Sequence, residues 1–165
     1  AFEPEALAPA PVARPAAAPA AGSRHSFLGL APLDTNTDQL LLRALLGTED
    51  ALDASAVVRH LATQPGISAC VCMKGASVLS HADASVPEAA TFQQQAAEIA
   101  RQVRGLAPMI GIQDAETFTL NAGTRLITFC FPGDATIGVL HQNEPSNGLR
   151  DKITLVSREL ARMLG

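Results

Sequence analysis

Cys70, Cys72 and Cys130 are the residues of this 165-residue chain best suited to nucleophilic or metal chemistry. A reactive thiol needs a neighbouring histidine or cation and partial exposure, because the thiolate is the nucleophile. Cys70 and Cys72 instead sit two apart in Ile67 to Met73, the most apolar run of the chain, and in a strand they share one face. That placement predicts small buried hydrophobes, with a thiol or metal site as the sharper alternative. Three cysteines so spaced do not make a disulfide framework, and their use suits a reducing compartment. His25, His60, His81 and His141 never stand four apart or beside a CxxC pair, so they do not spell a zinc site, although His81 and His141 end strands that could approach one another. Asp114 and Glu116 are a close carboxylate pair on an expected strand edge, where hydration is the ordinary role, and they suggest no general acid/base couple. No GxxxxGK[ST] run is present, and Gly66, Gly75, Gly123 and Gly133 each stand alone in turns. The expectation is therefore no catalytic, metal or cofactor-binding residue, and not an enzyme.

Bulk properties narrow the partners. Net charge is -4, so no basic field exists to neutralise phosphates, which disfavours nucleic acid and anionic membranes. A hydrophobic fraction of 47% against 17% charged residues describes one globular domain with a large core. No apolar run reaches the roughly 18 residues of a membrane span, and the opening lacks a basic stretch followed by an apolar core, so it does not read as a secretion signal. The expected location is cytoplasmic.

The elements that must position these residues follow from periodicity. From Ala1 to Ala21 alanine and proline dominate, a composition that favours extended conformations and reads as a semi-stiff tether to an upstream domain or membrane anchor. The division expected is an Ala/Pro-rich linker over 1–37 and a folded domain over 38–165. DQLLLRALLG, from Asp38, gives a short helix, and Asp53 caps a second, ASAVVRHLATQ. Ile67 to Met73 reads as a central strand, and Ser77 to His81 as its hairpin partner. Pro87 opens the longest helix, on which Phe92, Ala96, Ile99, Val103 and Leu106 recur at spacings of four and three. Glu116 to Leu120, Thr124 to Phe131 and Ala135 to His141 then form a three-stranded meander around turns at Asn121-Ala122-Gly123 and Pro132-Gly133-Asp134. Leu149, Ile153, Val156, Leu160 and Met163 trace a closing helix. A helix joining a hairpin to a meander argues for one antiparallel sheet with helices on its faces, an α+β fold.

This order resembles the roadblock/dynein light chain family, over about Asp53 to Leu164. The most telling stretch is PGISACVCMKGASVLSHAD: a Pro-Gly entry, a hydrophobic strand, a charged residue with Gly at the turn, and a short second strand. QQQAAEIARQV and ETFTLNAGTRLITFCFPGDATIGVLHQ continue it. The turn here is Lys74-Gly75-Ala76, where family members often carry Asp-Gly. The resemblance implies a five-stranded antiparallel sheet in order 2-1-5-4-3, with the long helix on one face and two helices on the other. It also implies a homodimer formed by the long helix and by the third strands joined edge to edge, through Phe92, Ala96, Ala97, Ala100, Glu116, Phe118 and Leu120. The function implied is a non-enzymatic protein-interaction module in signalling, a scaffold or regulator of a small Ras-like GTPase, with a small GTPase or a larger scaffold protein as its partner. In that order the third strand is an edge, and its residues include no proline to blunt it. The alternative is a PAS-like or GAF-like sensor holding a small molecule between sheet and helix, for which six Phe without Trp or Tyr supply few aromatics.

Overall fold

In the computed structural model the backbone is described for residues 31–165 and the side chains for 39–165, so the expected tether at Ala1 to Ala21 lies outside the described residues. Four helices and five strands follow one another: α1 (Ala31–Leu46), α2 (Ala54–Ala62), β1 (Ile67–Lys74), β2 (Ser77–Ala82), α3 (Pro87–Met109), β3 (Thr117–Ala122), β4 (Arg125–Cys130), β5 (Thr136–His141) and α4 (Asn147–Met163). α1 begins at Ala31 rather than near Asp38, because Pro32 falls in the first turn, where a missing N–H breaks no helical bond.

Local chemistry starts each element. Asp53 accepts the Ala56 N–H at 2.7 Å to cap α2, and Ser146 accepts the Leu149 N–H at 3.2 Å to cap α4. Both two-residue hairpins, Gly75-Ala76 and Gly123-Thr124, put glycine first with φ of +57° and +73°, a conformation that L side chains resist. The second turn is thus one residue tighter than the expected Asn121-Ala122-Gly123, since Ala122 already pairs with Arg125.

All strand pairs are antiparallel, in the order β2-β1-β5-β4-β3. β1, buried from Ile67 to Cys72, is flanked by β2 and β5, as its uninterrupted apolar run requires. One face carries Cys70, Cys72, Ile137 and Val139 against Val57 and Leu61 of α2 and Ile153, Val156 and Leu160 of α4; Leu42 and Leu46 of α1 join the same core. The opposite face carries Ala69, Val71, Phe129 and Leu140 against Phe92, Ala96 and Val103 of α3. An extra residue at Ser68 shifts the β1–β5 register, which turns Ile67 into the α2/α4 core.

The covering of the sheet by α3 is lopsided. The helix lies over β1, β2 and β5. The same face of β3, with Phe118 and Leu120, is only half-buried.

Candidate interaction surface

β3 is the free edge beside this half-covered face. Its backbone parity is set by one bond: the Phe131 N–H donates to the Glu116 carbonyl at 2.8 Å. In an antiparallel ladder hydrogen-bonded and non-hydrogen-bonded pairs alternate. Phe118 and Leu120 therefore bond inward to Phe129 and Ile127, while Thr117, Thr119 and Asn121 direct their N–H and C=O groups away from β4. Neither proline nor a charged side chain interrupts Thr117–Ala122.

The Phe118 and Leu120 side chains stand on the α3 side. Phe118 meets Phe131 edge-on at 6.1 Å, and Phe131 stacks on Phe129 at 6.3 Å. Arg104 of α3 closes the row, its guanidinium 4.7 Å from the Phe131 centroid and one nitrogen donating to Thr136 Oγ1 at 3.2 Å. Between Arg104, Ala107, Phe118 and Phe131 and the chain before β3 runs an open cleft of about 420 Å³. Beside it the end of α3 and the following loop expose Leu106, Met109, Ile110 and Ile112, with Met109 80% and Ile110 62% accessible. Large apolar side chains gathered this way mark contact surfaces more often than chance exposure does. On the other side of β3, Arg158 of α4 bonds Glu116 at 2.6 Å and ties the approach to the strand to the last helix.

No protein-family model matches this chain, and no curated protein resembles it in sequence. Solved structures do match in shape. MglB of Myxococcus xanthus is 18% identical and aligns over 70% of this chain and 98% of its own, with a TM-score of 0.55. An MglB with a tetrameric arrangement is 14% identical over 67% of this chain and 86% of its own, at 0.52. The gliding protein MglB of Thermus thermophilus is 16% identical over 67% and 87%, also at 0.52. The chain has a roadblock-like fold. The strand order and the long helix between hairpin and meander are those that the sequence resemblance implied.

Within the roadblock-like fold the seven residues assigned to an interface divide. Glu116 and Ala97 are exposed, and Phe118 and Leu120 are half-buried at the open margin. Phe92, Ala96 and Ala100, however, are buried against the chain's own sheet. The reason is helical phase: the buried stripe is Ala89, Phe92, Ala96, Ala100, Val103 and Ala107, and it leaves Ala97 and Leu106 outside. Phe131 and Arg104 lie outside that set, since their exposure depends on where α3 stops covering the sheet, and Thr117 and Thr119 stand on the opposite face of β3. The run Leu106 to Ile112 carried a signal, four large apolar residues astride Pro108 at the end of a helix.

All three cysteines are free and buried. Burial pushes the Cys72 thiol up to about 11, and burial raises Cys70 and Cys130 as well, so none ionises near neutral pH. His81 and His141 do not meet: β1 lies between them, and Val139, not His141, is level with His81. Among the described residues no cluster of three or more His, Cys, Asp or Glu is arranged to hold a metal ion, and no helix is long and apolar enough to cross a membrane. The room a sensor needs between helix and sheet is filled by Phe92 and Phe129, whose rings approach Gly138 so closely that an added Cβ would lie 2.8 Å from Phe129.

Proposed function

We propose that this chain is a cytoplasmic, non-enzymatic interaction module that self-associates through the β3 edge and acts as a scaffold or regulator of a small Ras-like GTPase. One observation carries the reading: an unblunted edge strand adjoins a sheet face that its own helix leaves half covered. Unpaired strand groups and partly exposed aromatics are both satisfied by another strand and its side chains. The tetrameric arrangement of an MglB with this fold supports self-association. The GTPase partner is supported by the family resemblance, and the exposed residues Leu106, Met109, Ile110 and Ile112 supply apolar surface for such a contact.

Thr119→Pro tests the self-association. It removes an N–H that points away from β4 and so spares the chain's own ladder. Light scattering should give a dimer mass or larger for the parent and a monomer mass for the variant, with unchanged circular dichroism. Equal masses would remove β3 from the interface. For the partner, GTP hydrolysis by each small Ras-like GTPase of the source organism is compared with and without the chain. A changed rate is expected for the cognate one; binding with an unchanged rate would leave the scaffold reading, and no binding would remove the GTPase as a partner.

A further inference from the structure

We infer that β2 is the docking edge for an extended, basic segment of a partner protein, which adds a strand there and places a lysine or arginine in the polar groove at the strand's end. This is independent of self-association at β3, because β2 is the opposite edge of the sheet.

One backbone bond sets the parity of β2: the Asp83 N–H donates to the Ser68 carbonyl at 2.8 Å. Alternation along the antiparallel ladder then makes Cys70–His81, Cys72–Leu79 and Lys74–Ser77 the hydrogen-bonded pairs. Val78, Ser80 and Ala82 are left with N–H and C=O groups that point away from β1, and among the described residues no strand pairs with them. Ser77–Ala82 holds neither proline nor lysine, the residues that commonly blunt an edge. Val78, 58% accessible, stands opposite Met73 on the α3 face. Side chains of an added strand alternate between the two faces, so every second one lies beside Val78 and the others beside Leu79 and His81 on the α2 face.

The groove opens beside His81. It has a volume of about 460 Å³ and reaches the loop Thr63 to Gly66 that follows α2. Its amide donors are committed to the chain's own carbonyls: Gln64 Nε2 donates to Leu46 and His60 at 3.3 and 3.2 Å, and Gln142 Nε2 to Ile67 at 3.5 Å. Lys152 is likewise engaged, donating to Gln64 Oε1 at 2.9 Å. Of the side chains that line the groove, Asp83 alone carries a full charge at neutral pH. Ser85 donates to Asp83 Oδ1 through its backbone N–H at 2.9 Å and its hydroxyl at 2.6 Å, while Oδ2 has no partner among the described residues. A cation satisfies that oxygen, and an acidic side chain would be repelled by it. Lysine and arginine have the length to reach it from an added strand while their stems lie along the groove wall. A second copy fits less well, because the strand it would offer, SVLSHA, contains neither lysine nor arginine.

Fluorescence anisotropy tests this with a labelled peptide of about eight residues, enough to span the strand, that alternates lysine and valine. A glutamate–valine counterpart is run beside it. The full-length protein should bind the lysine peptide and, at low salt, bind it more tightly than the glutamate peptide. Ser80→Pro removes an outward N–H and spares the chain's own ladder, so it should abolish binding with unchanged circular dichroism. Thr119→Pro, at the opposite edge, should bind as the parent does. Asp83→Asn keeps an oxygen for Ser85 but loses the charge; it should weaken the lysine peptide by about threefold or more, an effect that shrinks as salt is added. Binding that is lost in Thr119→Pro and kept in Ser80→Pro would move the site to β3 and overturn the inference. Equal binding of the two peptides, or binding of neither, would overturn it too. So would a Thr119→Pro protein that still scatters as a dimer and becomes a monomer when Ser80→Pro is added, since the β2 edge would then belong to a second copy.

Discussion

His141 is wholly buried at the end of β5, where its Nε2 lies 2.8 Å from Thr128 Oγ1 and its Nδ1 has no partner. Whichever tautomer is present, one ring nitrogen stays enclosed and unsatisfied, and a second proton would bring a charge into the same enclosure. Burial, helped by the nearby positive charge of Arg150, pushes its pKa down to about 4 from the ordinary 6.5. The contribution to stability has a definite sign. Above pH 6.5 the ring is neutral folded and unfolded, and the stability is fully present. As pH falls from 6.5 towards 4 the unfolded chain takes up the proton first, and on the order of 2–3 kcal/mol is lost. Urea midpoints between pH 7 and 4 should fall more steeply for the parent than for His141→Gln, and parallel slopes would clear His141 of the effect. Sequence could name this histidine as structural but not see its confinement, since Thr128 is distant along the chain and meets it only through the β4–β5 pairing.

At the scale of elements, the packing of α3 on the sheet turns on Gly138 of β5. A Cβ there would lie 2.8 Å from Phe129 and 3.1 Å from Phe92, and both rings are buried. Gly138→Ala should therefore destabilise by about 1–3 kcal/mol through overpacking, measured by denaturant unfolding. The double change Gly138→Ala, Phe129→Leu should lose less than the two single changes added together, because the smaller side chain makes room for the methyl. Full additivity would mean that the close approach exerts no strain. The strands, both hairpins and the long helix were legible, because the 2.0 and 3.6 periodicities and the glycines at Gly75 and Gly123 act within a few residues. Less legible was the phase of α3. Leu106, which fits an apolar stripe by spacing, is 47% exposed, while Ala107 takes the buried position. Alanine at a core position carries little hydrophobic signal, and Pro108 does not end the helix, which continues to Met109.

Across the whole molecule, the order β2-β1-β5-β4-β3 leaves β2 and β3 as edges, and α3 sits towards the β2 side. That offset, invisible in any local pattern, is why Phe118, Leu120 and Phe131 are half-buried while Phe92, Ala96 and Ala100 of the long helix are buried against the sheet. If a second copy completes the sheet, part of the stability of the fold belongs to the assembly and depends on protein concentration. A hundredfold rise should then stabilise a dimer by about 2.7 kcal/mol, shared between two chains, and should raise the melting temperature by a few degrees. Thr119→Pro should melt at one temperature at every concentration, and below the parent at the upper end of the range. The comparison separates a weakened fold from a lost partner, because a variant damaged only within its own chain would melt lower yet keep the parent's dependence on concentration. A parent whose melting temperature does not move over two decades of concentration would have a β3 edge that contributes nothing beyond the single chain.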